Sequence, residues 1–70
     1  MEIAASARKH GITADAMRHA ADHPLLILSM DNIDMYIGGD QSGRLLKLGV
    51  VGDEVIIHAM PARQKFLKLL

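Results

Sequence analysis

The chain has 70 residues, enough for one small domain whose core leaves only a marginal net stability. It contains no cysteine, which excludes disulfides and thiolate metal sites. Its formal net charge is zero, which excludes the overall basic character of many nucleic-acid-binding domains. The longest apolar run, Leu25 to Leu28, is far shorter than the roughly eighteen residues that span a bilayer, so we expect a cytoplasmic protein.

The N-terminal segment, residues 1–23, predicts two short helices. Glu2 to His10 is rich in alanine, and Gly11 supplies the left-handed conformation that commonly follows a helix. Thr13 then has the side chain of an N-cap residue. The second helix should end before Pro24, because the residue preceding a proline is disfavoured in the α conformation.

Residues 25–60 predict four strands joined by tight turns, which would form an antiparallel sheet. The predicted strands are Leu25–Met30, Met35–Ile37, Arg44–Val51 and Val55–Met60. The third has two largely apolar faces, so we expect it to be central and covered on both sides. Residues 61–70 would form a short C-terminal helix or tail beginning at Pro61. The prediction is one α+β domain of residues 1–70, with two helices packed on a four-stranded antiparallel sheet.

His19 and His23 are spaced so that, on one continuous helix, both could bind a divalent metal ion. A pair of ligands is not a complete site, and His23 directly precedes Pro24. The better interpretation is a cation near a helix C-terminus, and we predict neither a metal nor another cofactor.

The glycine-rich run from Gly38 to Gly43 has the composition of a phosphate-binding loop. It lacks the spacing and the Lys-Ser/Thr pair of such loops, and it lies between two predicted strands. A hairpin turn is the better prediction.

The segment from Val55 to Lys65 brings one histidine and two cations together within a few residues. Histidine exchanges a proton near neutral pH, and arginine presents a planar fork that matches phosphate oxygens. Basic residues also predominate over acidic ones in residues 44–70, whereas acidic residues predominate in residues 1–43. The pattern indicates phosphate chemistry in the C-terminal half, although each residue alone is equally typical of an ordinary surface position.

Several short motifs together resemble those of the BrnT toxins, small RelE-like ribonucleases of bacterial toxin–antitoxin pairs. The motifs are Arg-Lys-His-Gly-Ile at 8–12, His-Pro at 23–24, Ile-Gly at 37–38, Gly-Arg-Leu-Leu at 43–46 and Val-Ile-Ile-His-Ala-Met-Pro-Ala-Arg at 55–63. The resemblance implies a RelE-like fold, RNA cleavage without a metal, and neutralisation by a co-encoded antitoxin of the ribbon-helix-helix type. The RNA could be bound to the ribosome.

Cleavage of RNA without a metal requires a base, an acid and cations around the phosphate. The candidate catalytic residues are His58, as acid or base, with Arg63 and Arg44 as phosphate clamps. The candidate substrate-binding residues are Lys9, His10 and Lys65.

The alternative is a non-catalytic interaction module that serves a DNA-binding partner as a corepressor. Two features favour it. Proteins commonly grip single-stranded RNA by base stacking, and Tyr36 and Phe66 are the only aromatic residues apart from histidine. A marginal core would also gain stability from a bound partner.

Overall fold

The structure, a computed structural model, describes residues 1–63. These residues form an α+β fold, as predicted, with helices packed against a five-stranded mixed sheet. The strands are β1 (Glu2–Ile3), β2 (Pro24–Met30), β3 (Ile33–Gly39), β4 (Leu45–Val51) and β5 (Val55–Pro61). Between β1 and β2 lie a 3₁₀ helix (Ala5–His10) and an α-helix, α1 (Ala14–Asp22). Neither helix is long and apolar enough to cross a membrane.

The N-terminus is a strand and not the start of a helix, which corrects the prediction for Glu2 to His10. The backbone N–H of Glu2 donates to the carbonyl of Glu54 at 2.8 Å, and that of Ala4 donates to Ile56 at 2.9 Å. This pairs β1 with β5 in parallel. The four predicted strands do pair antiparallel with one another, but the sheet has a fifth strand and is mixed, which corrects the prediction of a four-stranded antiparallel sheet. Pairing at the sheet edge outweighs the helix propensity of this alanine-rich segment. The RelE-like arrangement gains no support from the five-stranded mixed sheet.

The strand order is β1-β5-β4-β3-β2, which confirms that β4 is central. One face of β4 carries Leu46, Leu48 and Val50, which are fully buried in a core shared with residues of both helices. On the opposite face Leu45 and Lys47 are half-buried, Gly49 is buried and Val51, at the strand end, is 37% exposed. The prediction that β4 is covered is therefore confirmed for the core face.

The predicted signals at the helix ends are confirmed. Gly11 has a φ of 74°, and the Thr13 side chain accepts a hydrogen bond from the backbone N–H of Ala16 at 3.1 Å. Helix α1 then packs so closely on β3 that a Cβ atom at Gly38 would collide with the carbonyl oxygen of Ala20. Gly38 is therefore a packing residue of β3 and not part of a turn.

Pro61 is the last residue of β5 and not the first of a helix. Proline has no N–H to donate, but the N–H of the next residue, Ala62, still donates to the carbonyl of Leu45 at 2.9 Å. The remainder of the predicted C-terminal helix or tail, including Lys65, lies outside the described residues.

Candidate functional site

His58 is held on β5 opposite a residue without a side chain. Its partner in β4 is Gly49, and a Cβ atom there would lie 3.2 Å from the His58 Cβ. The register between β4 and β5 shifts at this point, which leaves Ile57 as the extra residue of a bulge. Bulges redirect side chains at sheet edges, and this one lies beside the candidate acid or base.

The 3₁₀ helix brings a second group of candidates to the same place. Lys9 and His10 lie in its last turn. Its Ser6 hydroxyl donates to the carbonyl oxygen of Ile57 at 2.7 Å, which fixes the helix to the bulge next to His58. The sequence pointed to Lys9 and His10 but gave no reason to choose Ser6.

The rings of His10 and His58 meet edge to face, with centroids 5.7 Å apart and an angle of 82° between their planes. Both rings line a cleft of about 510 Å³, within the range of small-molecule sites. We call it the histidine cleft; it is lined by Ala5, Ser6, Lys9, His10, Ile57 and His58. Within residues 1–63 neither of the two rings takes part in a hydrogen bond.

The environment of His58 favours its neutral form. Burial lowers its pKa, and the nearby positive charges of Lys47, His10 and Lys9 lower it further. A neutral imidazole at pH 7 can accept a proton, which is the property of a general base. Nothing in the sequence indicated that Lys47 would influence the pKa of His58. The alternation of side chains along β4 already placed it on the same face as Gly49, but only the pairing with β5 shows what faces that position.

Arg44 and Arg63, predicted as phosphate clamps, lie elsewhere. Arg44 precedes β4 and Arg63 follows β5, at the end of the β4–β5 pair where Leu46 faces Pro61. Each is five residues along its chain from the Gly49–His58 pair, roughly 16 Å at about 3.3 Å per residue. We call this part of the molecule the arginine end. The structure therefore brings His58, His10 and Lys9 together and leaves both arginines apart from them.

Arg44 has a partner of its own in the turn between β3 and β4. Its Nε lies 3.3 Å from Oδ2 of Asp40, whose side chain is almost entirely buried. The other carboxylate oxygen of Asp40 accepts bonds from the Ser42 N–H, the Ser42 hydroxyl and the Arg44 N–H. The Ser42 hydroxyl bond is the main reason that the pKa of Asp40 is lowered. The predicted hairpin turn is thus confirmed for Asp40 to Gly43, whereas Gly38 and Gly39 belong to β3. The Asp40 side chain accepts from the N–H groups that point into this turn.

No family model, curated protein or solved structure matches this chain. The candidate site therefore rests on its own geometry and chemistry.

The other two histidines form a separate pair at the end of α1. His19 Nδ1–H donates to the carbonyl of Gly39 at 2.7 Å, and His23 Nδ1–H donates to that of His19 at 2.9 Å. Their rings stack with centroids 4.4 Å apart. Residues 1–63 contain no cluster of three or more potential metal ligands.

The aromatic residues add little to the site. Tyr36 is buried, and its hydroxyl donates to Asp53 Oδ1 at 3.0 Å. Burial, together with the Asp53 carboxylate, raises its pKa. Tyr36 therefore cannot stack on an RNA base, and Phe66 lies outside the described residues. If residues 1–63 bind RNA, they must do so through charged and imidazole side chains.

Proposed function

We propose that this protein is a metal-independent endoribonuclease and acts as the toxin of a toxin–antitoxin pair. The observation that carries the proposal is the meeting of His10 and His58 across one cleft, with Lys9 beside them. Two histidines and a cation can supply the base, the acid and the positive charge that RNA cleavage needs. The resemblance to the BrnT toxins supports the same activity and a cytoplasmic location.

In the proposed reaction, His58 takes the proton of a ribose 2′-hydroxyl, since its lowered pKa keeps it neutral. The 2′-oxygen then attacks the adjacent phosphorus, the bond from phosphorus to the 5′-oxygen breaks, and a 2′,3′-cyclic phosphate forms. His10 gives its proton to the leaving 5′-oxygen. Lys9 stabilises the negative charge that builds up on the phosphate oxygens.

The proposal revises the roles of the two arginines. Arg44 and Arg63 bind flanking phosphates of the RNA, if they contact it, and do not clamp the phosphate that reacts. Lys65 keeps its predicted role in substrate binding.

The partner we propose is a co-encoded antitoxin of the ribbon-helix-helix type. It would prevent toxicity by covering the histidine cleft or by holding the protein away from RNA, including RNA on the ribosome.

The test combines growth with chemistry. Inducing the gene alone should stop growth, and inducing it with the neighbouring gene should restore growth. The purified protein should cleave an RNA oligonucleotide in EDTA and leave 2′,3′-cyclic phosphate ends, and His58→Gln should cleave it far more slowly. Cleavage that depends on a divalent metal, or products without a cyclic phosphate, would contradict the proposal.

A non-catalytic interaction module is the second candidate, favoured by the large exposed apolar residues of β2, Leu25, Ile27 and Met30. It predicts no growth arrest and no cleavage, together with tight binding to the neighbouring protein. The induction experiment therefore separates the two functions.

A further inference from the structure

A second cavity adjoins the histidine cleft on the other side of the β5 bulge. It measures about 170 Å³ and lies between Met30, Ile33 and Met35 on one side and Ile57 and His58 on the other. We call it the methionine pocket. Ile57 and His58 line the histidine cleft as well, so the two cavities meet at these two residues.

Gly49 accounts for the space in the methionine pocket. Met35, Gly49 and His58 form one row across β3, β4 and β5. Paired residues project to the same face of a sheet, and the middle member of this row has no side chain. A gap is therefore left above β4, between the side chains of Met35 and His58.

The lining of the pocket is suited to a flat ring. Met30, Ile33 and Met35 are apolar, and methionine sulfur makes favourable contacts with aromatic rings. The volume is close to that of an engineered apolar cavity of about 150 Å³ that binds benzene, a single six-membered ring. Lys47 also lines the pocket, and its ammonium group can donate to a carbonyl oxygen of a ring. A pyrimidine base has this size and chemistry, with one six-membered ring and a carbonyl at C2.

The position of the pocket fits the base of the nucleotide that reacts. His58 is the proposed acceptor of the proton from the ribose 2′-hydroxyl, and the nucleobase is attached to the neighbouring ribose carbon, C1′. When the 2′-hydroxyl reaches His58, the nucleobase must therefore lie close to the same ring. Lys9 and His10 line the histidine cleft, which receives the phosphate in the proposed reaction. The methionine pocket is the adjoining space that can receive the base.

We infer that the methionine pocket binds a pyrimidine base, that of the nucleotide on the 5′ side of the bond that is cleaved. The inference rests on the proposed ribonuclease function and adds to it a preference for uridine or cytidine at this position. His58 borders both cavities, so one side chain holds the boundary between the base and the reacting phosphate.

NMR of the methionine methyl groups tests the inference directly. The chain has five methionines. Met30 and Met35 line the pocket, and the other three are internal controls: Met1, Met17 and Met60. Uridine 3′-monophosphate carries the 2′-hydroxyl, the 3′-phosphate and the base of the reacting nucleotide. It should shift the methyl resonances of Met30 and Met35 together with the imidazole resonances of His10 and His58. Inorganic phosphate should shift only the two imidazoles.

A binding titration supplies the second readout. Guanosine 3′-monophosphate, which has a larger purine base, should bind more weakly than uridine 3′-monophosphate. Met35→Ala should weaken binding of the uridine nucleotide by roughly 2- to 10-fold, the size expected for one sulfur–aromatic contact. Met60→Ala is the matched control, a half-buried methionine of β5 outside the pocket, and should bind like the parent.

The outcomes separate this inference from the function on which it rests. If the uridine nucleotide shifts His10 and His58 but leaves Met30 and Met35 unchanged, the inference is overturned and the ribonuclease proposal stands. Equal binding of the uridine and guanosine nucleotides, or of the uridine nucleotide to Met35→Ala and the parent, would overturn it in the same way. If neither phosphate nor nucleotide shifts the two imidazoles, the ribonuclease proposal is contradicted, and the inference falls with it.

Discussion

The two histidine pairs of this protein differ in what their ring nitrogens do. His19 lies in the last turn of α1 and His23 is its C-cap residue, and each uses one nitrogen to bond a backbone carbonyl. His10 and His58 come from distant segments, and their rings meet in a cleft beside Lys9. The difference teaches that sequence spacing revealed the pair that bonds the backbone, whereas only the fold brings together the pair for which we propose a catalytic role.

The largest effect is expected from removing the proposed base. His58→Gln should lower RNA cleavage by about 10²–10⁴-fold, the usual contribution of general acid–base catalysis, without altering the fold. Single-turnover cleavage and thermal unfolding measure the two properties. His23→Gln is the matched control from the other pair and should cleave like the parent. Equal losses of cleavage in His58→Gln and His23→Gln would contradict the proposal that only the His10–His58 pair takes part in the reaction.

A smaller loss should follow from crowding His58 without removing it. In Gly49→Ala the new Cβ lies 3.2 Å from the His58 Cβ, so the backbone or the histidine must shift by a few tenths of an ångström. Because an error of about 1 Å in a reacting group can cost roughly 10²-fold, we expect a several-fold loss of cleavage. Gly39→Ala is the control, since nothing lies within 4 Å of its added Cβ. Equal cleavage by the Gly49→Ala and Gly39→Ala variants would show that His58 need not be held in place.

Substitutions in the His19–His23 pair should change the stability of the fold and not the rate of RNA cleavage. His19→Leu removes the bond to Gly39 that ties α1 to the end of β3, and should cost about 1 kcal/mol in the free energy of unfolding. Urea unfolding measures the change, and the cleavage rate should be unaltered. If the folded His19→Leu variant lost cleavage, the His19–His23 pair would also be needed for the reaction, which would contradict its assignment to stability alone.

The arginine end should matter less to the reaction than the histidine cleft. Neither arginine lines the histidine cleft, and roughly 16 Å of extended chain separates their Cα atoms from the Gly49–His58 pair. Arg44→Gln and Arg63→Gln should therefore retain most of the cleavage rate on a short oligonucleotide. Arg44→Gln should also lower the unfolding temperature, because Asp40 loses its ion pair. A loss as large as that of His58→Gln in either variant would show that the arginine contacts the reacting phosphate, contrary to the proposal.

The smallest expected effect is a pH dependence of stability. The pKa of His58 is lowered in the folded protein, so below a pH of about 6.5 the unfolded chain binds a proton that the folded chain does not. Stability should therefore fall as the pH drops from about 6.5 toward the folded pKa of His58. Urea unfolding of the parent between pH 7.5 and 5.5 should show this decline, and His58→Gln should show less of it. Identical slopes would mean that His58 contributes nothing to it.

Much of the fold follows from local signals in the sequence. Thr13 and Gly11 mark the helix ends because capping depends on the residue itself, and the four longer strands follow from apolar runs between turn residues. Strand β1 could not be predicted, since it is two residues long and exists only because Glu54 and Ile56 offer backbone partners.

The candidate site was predictable in part. The types of residue that can handle protons and phosphate pointed to His58, His10 and Lys9. Their separation from Arg44 and Arg63 depends on the register between β4 and β5, which no local pattern encodes. The roles of Ser6 and Lys47 could not be predicted, because they depend on the fold placing Ile57 and His58 beside them.

The most direct test of the histidine cleft follows the four histidines at once by NMR. The ligand is a 2′-O-methyl RNA oligonucleotide, which has no 2′-hydroxyl to attack and so binds without being cleaved. We predict that the imidazole resonances of His10 and His58 shift on binding, while those of His19 and His23 stay in place. Shifts confined to His19 and His23, or binding that leaves His10 and His58 unchanged, would contradict the account.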